Sequence, residues 1–224
     1  MSHGLKVYND ANELTIDQDY ANYALWTTGT ISKAVNTLAT PWAFPSVVSE
    51  PPLLFVYTPS VFMGSLGYDL SGGNFNGIYL CWQDGGNSGA TSLSVQYKLF
   101  VPTGRLGPSA DAYGMRVFRA DGSVAFDSGR DYMKIADLAQ VTRQAFHSQA
   151  DYTHGLSGAV YTCINPFCGI GPLMVSPPIT YDKLNYGIKH GTGKITHGWY
   201  PLADWGPGMS APYSGPDASL ISVQ

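Results

Sequence analysis

Gly4-Leu5-Lys6-Val7-Tyr8 and Gly114-Met115-Arg116-Val117-Phe118 align without a gap, and the match runs on from Leu14, Ile16 and Asp17 to Val124, Phe126 and Asp127. The offset is 110 residues throughout, and of the 14 positions three are identical and five conservative. Each copy reads as a β-hairpin, with an alternating strand, a polar turn and a second alternating strand. The turns are Asp10-Ala11-Asn12-Glu13 and Ala120-Asp121-Gly122-Ser123. Alternation alone makes any two hairpins look alike, so two readings stand. Either the likeness is generic, or the chain is two related β-rich halves, each opened by the same hairpin. On the second reading the halves are 1–110 and 111–205, followed by 206–224 as a flexible carboxyl-terminal arm.

Outward from the hairpins, 26 Gly and 15 Pro cut the apolar segments into short runs, which leaves little room for long helices. Leu53-Leu54-Phe55-Val56-Tyr57 and Ile78-Tyr79-Leu80-Cys81-Trp82 are continuous and suit strands buried on both faces. Val95, Tyr97, Leu99 and Val101 alternate with their neighbours, and 159–163 and 186–190 add two further candidates. Asp84-Gly85-Gly86-Asn87-Ser88-Gly89 is turn chemistry and is expected to join its flanking strands in a hairpin. The segment 131–147 admits either a helical stripe or a strand. The expected fold is therefore all-β, of sandwich or barrel type. The arm, interrupted by Gly206-Pro207-Gly208 and Ser214-Gly215-Pro216, is expected to order only on a neighbour, so its removal should leave the domain folded.

Composition narrows the function. Charged residues are only 12% of the chain and aromatics 13%, the balance that partner interfaces and sugar-binding surfaces share. The net charge of −4 comes without any run of Lys or Arg, so no nucleic-acid partner is expected. No apolar run is long enough to span a bilayer, and residues 1–10 lack the pattern of a secretion signal, so synthesis in the cytoplasm is the default.

The signatures of catalysis are weak. Gly155-Leu156-Ser157-Gly158 lacks the second glycine spacing of a nucleophile elbow, and Gly191-Thr192-Gly193-Lys194 reads as a turn, not a phosphate loop. Cys163 and Cys168 could hold a metal only with Cys81 and His154 as further ligands, and buried thiols are the simpler reading. His190 and His197, like His147 and His154, are seven apart, a spacing that on a helix would put each pair on one face, but neither region reads as helix. The two glutamates, Glu13 and Glu50, and the turn-bound aspartates offer no evident pair for glycoside hydrolysis. No cofactor and no catalytic or metal residue is therefore assigned. The aromatic residues Trp199, Tyr200, Trp205 and Tyr213 stand among glycines and prolines and are the candidates for an interface or a ligand.

The two hairpin phrases, Gly4 through Asp17 and Val117-Phe118-Arg119-Ala120-Asp121-Gly122-Ser123-Val124-Ala125-Phe126-Asp127-Ser128, resemble the minor tail and tail-tip (baseplate) proteins of long-tailed bacteriophages. The resemblance covers about the first 30 residues and the stretch 113–135. It implies a virion component, made in the host cytoplasm and placed in a symmetric tail-tip complex. Its partners would be copies of itself, other tip proteins and a host receptor or glycan. The other readings are a carbohydrate-binding module or receptor-binding adhesin without catalysis, and a glycan hydrolase.

Overall fold

The computed structural model describes residues 6–8, 14–17, 22–34, 40–83, 92–141, 149–164, 170–171, 184–201 and 218–223. They form an all-β fold whose one helical element, among the described residues, is the short turn Thr103–Arg105. The first half of the chain gives the hairpin β1 (Lys6–Tyr8) and β2 (Leu14–Asp17), then β3 (Tyr23–Ala34), β4 (Thr40–Val48), β5 (Leu53–Tyr57), β6 (Phe62–Ser71), β7 (Asn74–Gln83) and β8 (Ser92–Pro102). The second gives the hairpin β9 (Arg116–Phe118) and β10 (Val124–Asp127), then β11 (Ile135–Val141), β12 (Gln149–Thr153), β13 (Tyr161–Cys163), the two-residue β14 (Ile170–Gly171), β15 (Leu184–Gly191), β16 (Lys194–Pro201) and β17 (Ala218–Val223).

Two antiparallel sheets face each other, and each draws three main strands from each half. One runs β11-β17-β13-β5-β8-β3; the other runs β12-β16-β15-β6-β7-β4, with β14 beside β15. After its hairpin, each half has six main strands, of which the first pairs with the sixth, the second with the fifth, the third with the sixth and the fourth with the fifth. That is the folded-over hairpin order of a jelly roll, with six strands in place of eight. Both sheet orders are palindromes in these terms, and like strands meet antiparallel at the centre: β5 with β13, and β6 with β15. The halves are thus related by a pseudo-two-fold axis normal to the sheets.

The registers repeat down to their irregularities. In the first hairpin Tyr8 faces Leu14 and Val7 faces Ile16, leaving Thr15 as an extra residue; in the second Phe118 faces Val124 and Val117 faces Phe126, leaving Ala125. Against the sixth strand, Trp26 is the extra residue between Leu25 and Thr27, and Ala136 is the extra residue between Ile135 and Asp137. Both bulges keep the 110-residue offset. Since a bulge breaks alternation, alternation alone does not account for registers that match at this offset.

The main core between the sheets holds Leu54, Val56, Met63, Ile78, Leu80, Leu99, Ile188 and Ile195. A second cluster of Phe55, Phe100, Cys163 and Val223 lies on the far face of the β5-containing sheet, with Tyr23, Leu25, Leu53, Met133 and Tyr161 around it. The edges of that sheet meet over this cluster. Met133 N–H donates to Tyr23 O at 2.9 Å and Leu25 N–H to Asp131 O at 2.7 Å, so the sheet curls until the starts of its edge strands touch. Leu53–Tyr57 is buried on both faces because the main core covers one face and the curl encloses the other. Phe55 and Phe100 pack edge to face at 5.4 Å inside it.

Two expectations need correction, and one left open is decided. Asp84–Gly89 lies outside the described residues, but its flanking strands do not form a hairpin: β7 pairs with β4 and β6, while β8 pairs with β3 and β5 in the other sheet. Turn residues specify a reversal, not the partner that the next strand finds. The segment 131–147 contains a strand over Ile135–Val141, with 142–148 outside the described residues. The expected arm 206–224 ends in β17, which pairs on one side with β11 and on the other with β13; 202–217 lie outside the described residues. Ser222 and Val223 are buried there, because a sixth strand must supply a partner to both the first and the third.

Deleting residues 218–224 should therefore cost at least about 5 kcal/mol, the lower end of a whole domain's stability, and abolish a cooperative thermal transition. Circular dichroism melts of the truncated and full chains check this. An unchanged midpoint would show that β17 carries none of the fold.

Candidate functional site

Lys6 faces Asp17 in the first hairpin, and Arg116 faces Asp127 in the second. The Asp127 side chain is only 2% exposed and pairs with Arg116 Nε at 2.9 Å. Its carboxylate also accepts from Ser109 N–H at 2.7 Å and Gly129 N–H at 2.9 Å. Burial alone would raise its pKa, but these donors outweigh burial and hold the carboxyl well below the usual range. A carboxylate so committed pins the loop 109–111 to the hairpin, where Arg116 Nη2 donates to the carbonyls of Ser109 and Asp111.

The hairpin so pinned shows large apolar groups to solvent. Tyr113 is 94% exposed, Phe118 51% and Met115 44%; farther along, Ile135 and Leu138 on edge strand β11 are 55% and 63% exposed. These five side chains, close in sequence within 113–138, are the candidate interface residues; Val47 and Leu70, each 58% exposed, lie apart in sequence on β4 and β6. Phe126 on the same hairpin is instead stacked on Tyr132 at 4.9 Å.

The candidates chosen from sequence fare unevenly. Trp199 and Tyr200 belong to strand β16, opposite Tyr186 and Asn185 of β15, and not to a loop. Trp205 and Tyr213 lie outside the described residues, as do His147 and Cys168. Cys163 is buried and in no disulfide. His190 and His197 sit on the neighbouring strands β15 and β16, where His190 faces Ile195 and His197 faces Ile188. No group of three metal-ligating side chains occurs among the described residues. No helix among them is long and apolar enough to cross a membrane.

His190 has a role that its spacing did not reveal. Thr58 N–H donates to its Nδ1 at 3.1 Å, which fixes the proton on Nε2, and that nitrogen lies 2.9 Å from Thr162 Oγ1. Thr162 Oγ1 continues to Ser222 Oγ at 3.3 Å, and the His190 backbone N–H returns to Thr58 O at 2.9 Å. The imidazole, 3% exposed, thereby ties β15 of one sheet to β13, β17 and the end of β5 in the other. Lys194 and Thr196 both donate to the exposed carboxylate of Asp151 at 2.6 Å, which lowers its pKa. Comparison with protein-family models, curated proteins and solved structures finds no match.

Burial, helped by the nearby His154, pushes the pKa of His190 down from 6.5 to about 3. Below the unfolded value the unfolded chain binds a proton that the folded chain refuses, so this contribution to stability is complete above pH 6.5 and is lost as pH falls toward 3. The slope should approach about 1.4 kcal/mol per pH unit in that window. Urea midpoints at a series of pH values check it, and a flat profile across the window would refute the buried neutral imidazole.

Proposed function

We propose that the chain is a structural component of a bacteriophage tail tip or baseplate. It acts there in a symmetric complex with copies of itself and with other tip proteins, and contributes to host attachment. The observation that carries this reading is the apolar display on a braced hairpin and edge strand: Tyr113, Met115, Phe118, Ile135 and Leu138. Exposed aromatics and Met on a rigid frame are what a partner buries most profitably. The likeness of both hairpin phrases to tail-tip proteins supports the setting, and the low charge content suits a chain surrounded by partners. A second reading, a carbohydrate-binding module or receptor-binding adhesin, is favoured by a cleft without charged lining residues between Tyr57, His154 and Gly193.

Phe118→Ser combined with Leu138→Ser should leave the melting temperature within a few degrees of the parent, because both side chains lie on the surface. The same variant should fall at least about tenfold in recovery with ring-forming partners or particles. Quantitative pull-down and electron microscopy of particles measure both. Full incorporation of the double variant would sink the assignment of this face.

A further inference from the structure

At one end of the sandwich three loops enclose a cleft of about 530 Å3. Tyr57 and Pro59 come from the end of β5 and the turn after it, His154 to Val160 from the connection between β12 and β13, and His190 to Gly193 from the tip of the β15–β16 hairpin. Its size is that of a small-molecule site, and loops gathered at one rim of a rigid sandwich are where such sites form. No Lys, Arg, Asp or Glu lines it. The walls mix an aromatic ring and a proline with hydroxyls, imidazoles and glycine backbone.

His154 belongs to the cleft wall and has one unsatisfied ring nitrogen. It is 9% exposed, and its backbone N–H is satisfied by Gly193 O at 3.0 Å. Yet its Nδ1 is buried with no hydrogen-bond partner among the described residues. Leaving a buried polar nitrogen unpaired costs about 1–3 kcal/mol, which is why such groups mark missing partners. The adjacent His190 cannot serve, since both of its ring nitrogens are already bonded within the protein.

We infer that this cleft binds a neutral sugar of pyranose size. A hydroxyl can donate to or accept from an imidazole nitrogen, so it suits the wall at His154 in either tautomer. A wall without charge offers nothing to a carboxylate or phosphate, whose desolvation would go uncompensated. Tyr57 and Pro59 supply the flat apolar surface that a sugar ring's C–H face needs. The site goes beyond the assembly role, which uses the exposed apolar groups at 113–138, and stands or falls separately from it.

Saturation-transfer NMR on the full chain tests the inference with glucose, galactose, mannose and N-acetylglucosamine, beside glucuronate and inorganic phosphate. At least one neutral sugar should show transfer. Thr192→Trp on the exposed turn at the cleft mouth should weaken it at least about tenfold while leaving the melt unchanged. His154→Phe removes the unpaired nitrogen, so it should fold as well as the parent and also lose the sugar. Recovery of the Thr192→Trp chain with tip partners should stay normal, which separates failure of this site from failure of the assembly reading. The inference is overturned if no neutral sugar binds, if binding survives both variants, if glucuronate or phosphate binds better, or if a sugar-soaked crystal holds only ordered water at His154.

Discussion

The halves of this protein meet along a seam with very little backbone pairing, and the remaining architecture depends on how that seam is closed. In one sheet Val56 faces Thr162 and Phe55 faces Cys163, with Ile164 N–H reaching Leu54 O at 3.0 Å. In the other the pairing across the seam is Ile188 against Met63. So few ladder bonds, each worth about 1 kcal/mol net, cannot hold two six-stranded units against their freedom to separate. Burial must do it. Phe55, Phe100, Cys163 and Val223 all lie on the pseudo-two-fold axis or pair about it, so each half covers apolar surface that the other would expose. The clasp between Tyr23 and Met133, residues that are themselves equivalent, then seals the curl from outside.

Equivalence in the backbone makes the differences in side chains informative. His190 precedes the tip of the β15–β16 hairpin as Leu70 precedes the tip of the β6–β7 hairpin, where Ser71 faces Asn74 as Gly191 faces Lys194. Leu70 is 58% exposed, whereas His190 is 3% exposed and wired to Thr58, Thr162 and Ser222. The polar knot therefore exists on one side of the axis only. A buried network of this kind is weak as a source of stability but strong as a source of specificity, because a mispacked alternative would strand an imidazole and two hydroxyls without partners. The seam thus takes its energy from the symmetric apolar cluster, and its registry from the asymmetric histidine.

Much of the fold was legible because its signals are local. Continuous apolar runs gave β5 and part of β7, and the echo at an offset of 110 residues anticipated both hairpins, though not their bulges at Thr15 and Ala125. What stayed hidden depends on pairing at a distance. Ser219-Leu220-Ile221-Ser222-Val223 is a plausible strand on its face, but the glycines and prolines before it drew the whole tail into one reading as an arm. Asp84–Gly89 showed that the chain turns, and only the sheet order could show that it turns from one sheet to the other. The candidate cleft was least legible. His154 was considered as a helical partner of His147 and as a ligand beside the cysteines, whereas its placement comes from Gly193, more than thirty residues on, whose carbonyl accepts from its backbone N–H.

The pseudo-two-fold also bears on how such a chain meets partners. An axis normal to both sheets sends each edge strand to the opposite edge, so β3 and β11 carry the same bulge at opposite ends of one sheet. Their starts are consumed by the clasp, while their remaining lengths differ in chemistry: β3 exposes Thr28, Gly29, Thr30 and Ser32, and β11 exposes Ile135 and Leu138. A partner approaching either side therefore finds the same backbone frame but a polar edge in one place and an apolar one in the other. Two identical edges would invite indiscriminate strand addition, the hazard that open sheets carry. A difference of side chains on a repeated backbone frame removes that degeneracy, and it would let one chain make two different, directional contacts in the symmetric assembly proposed for it.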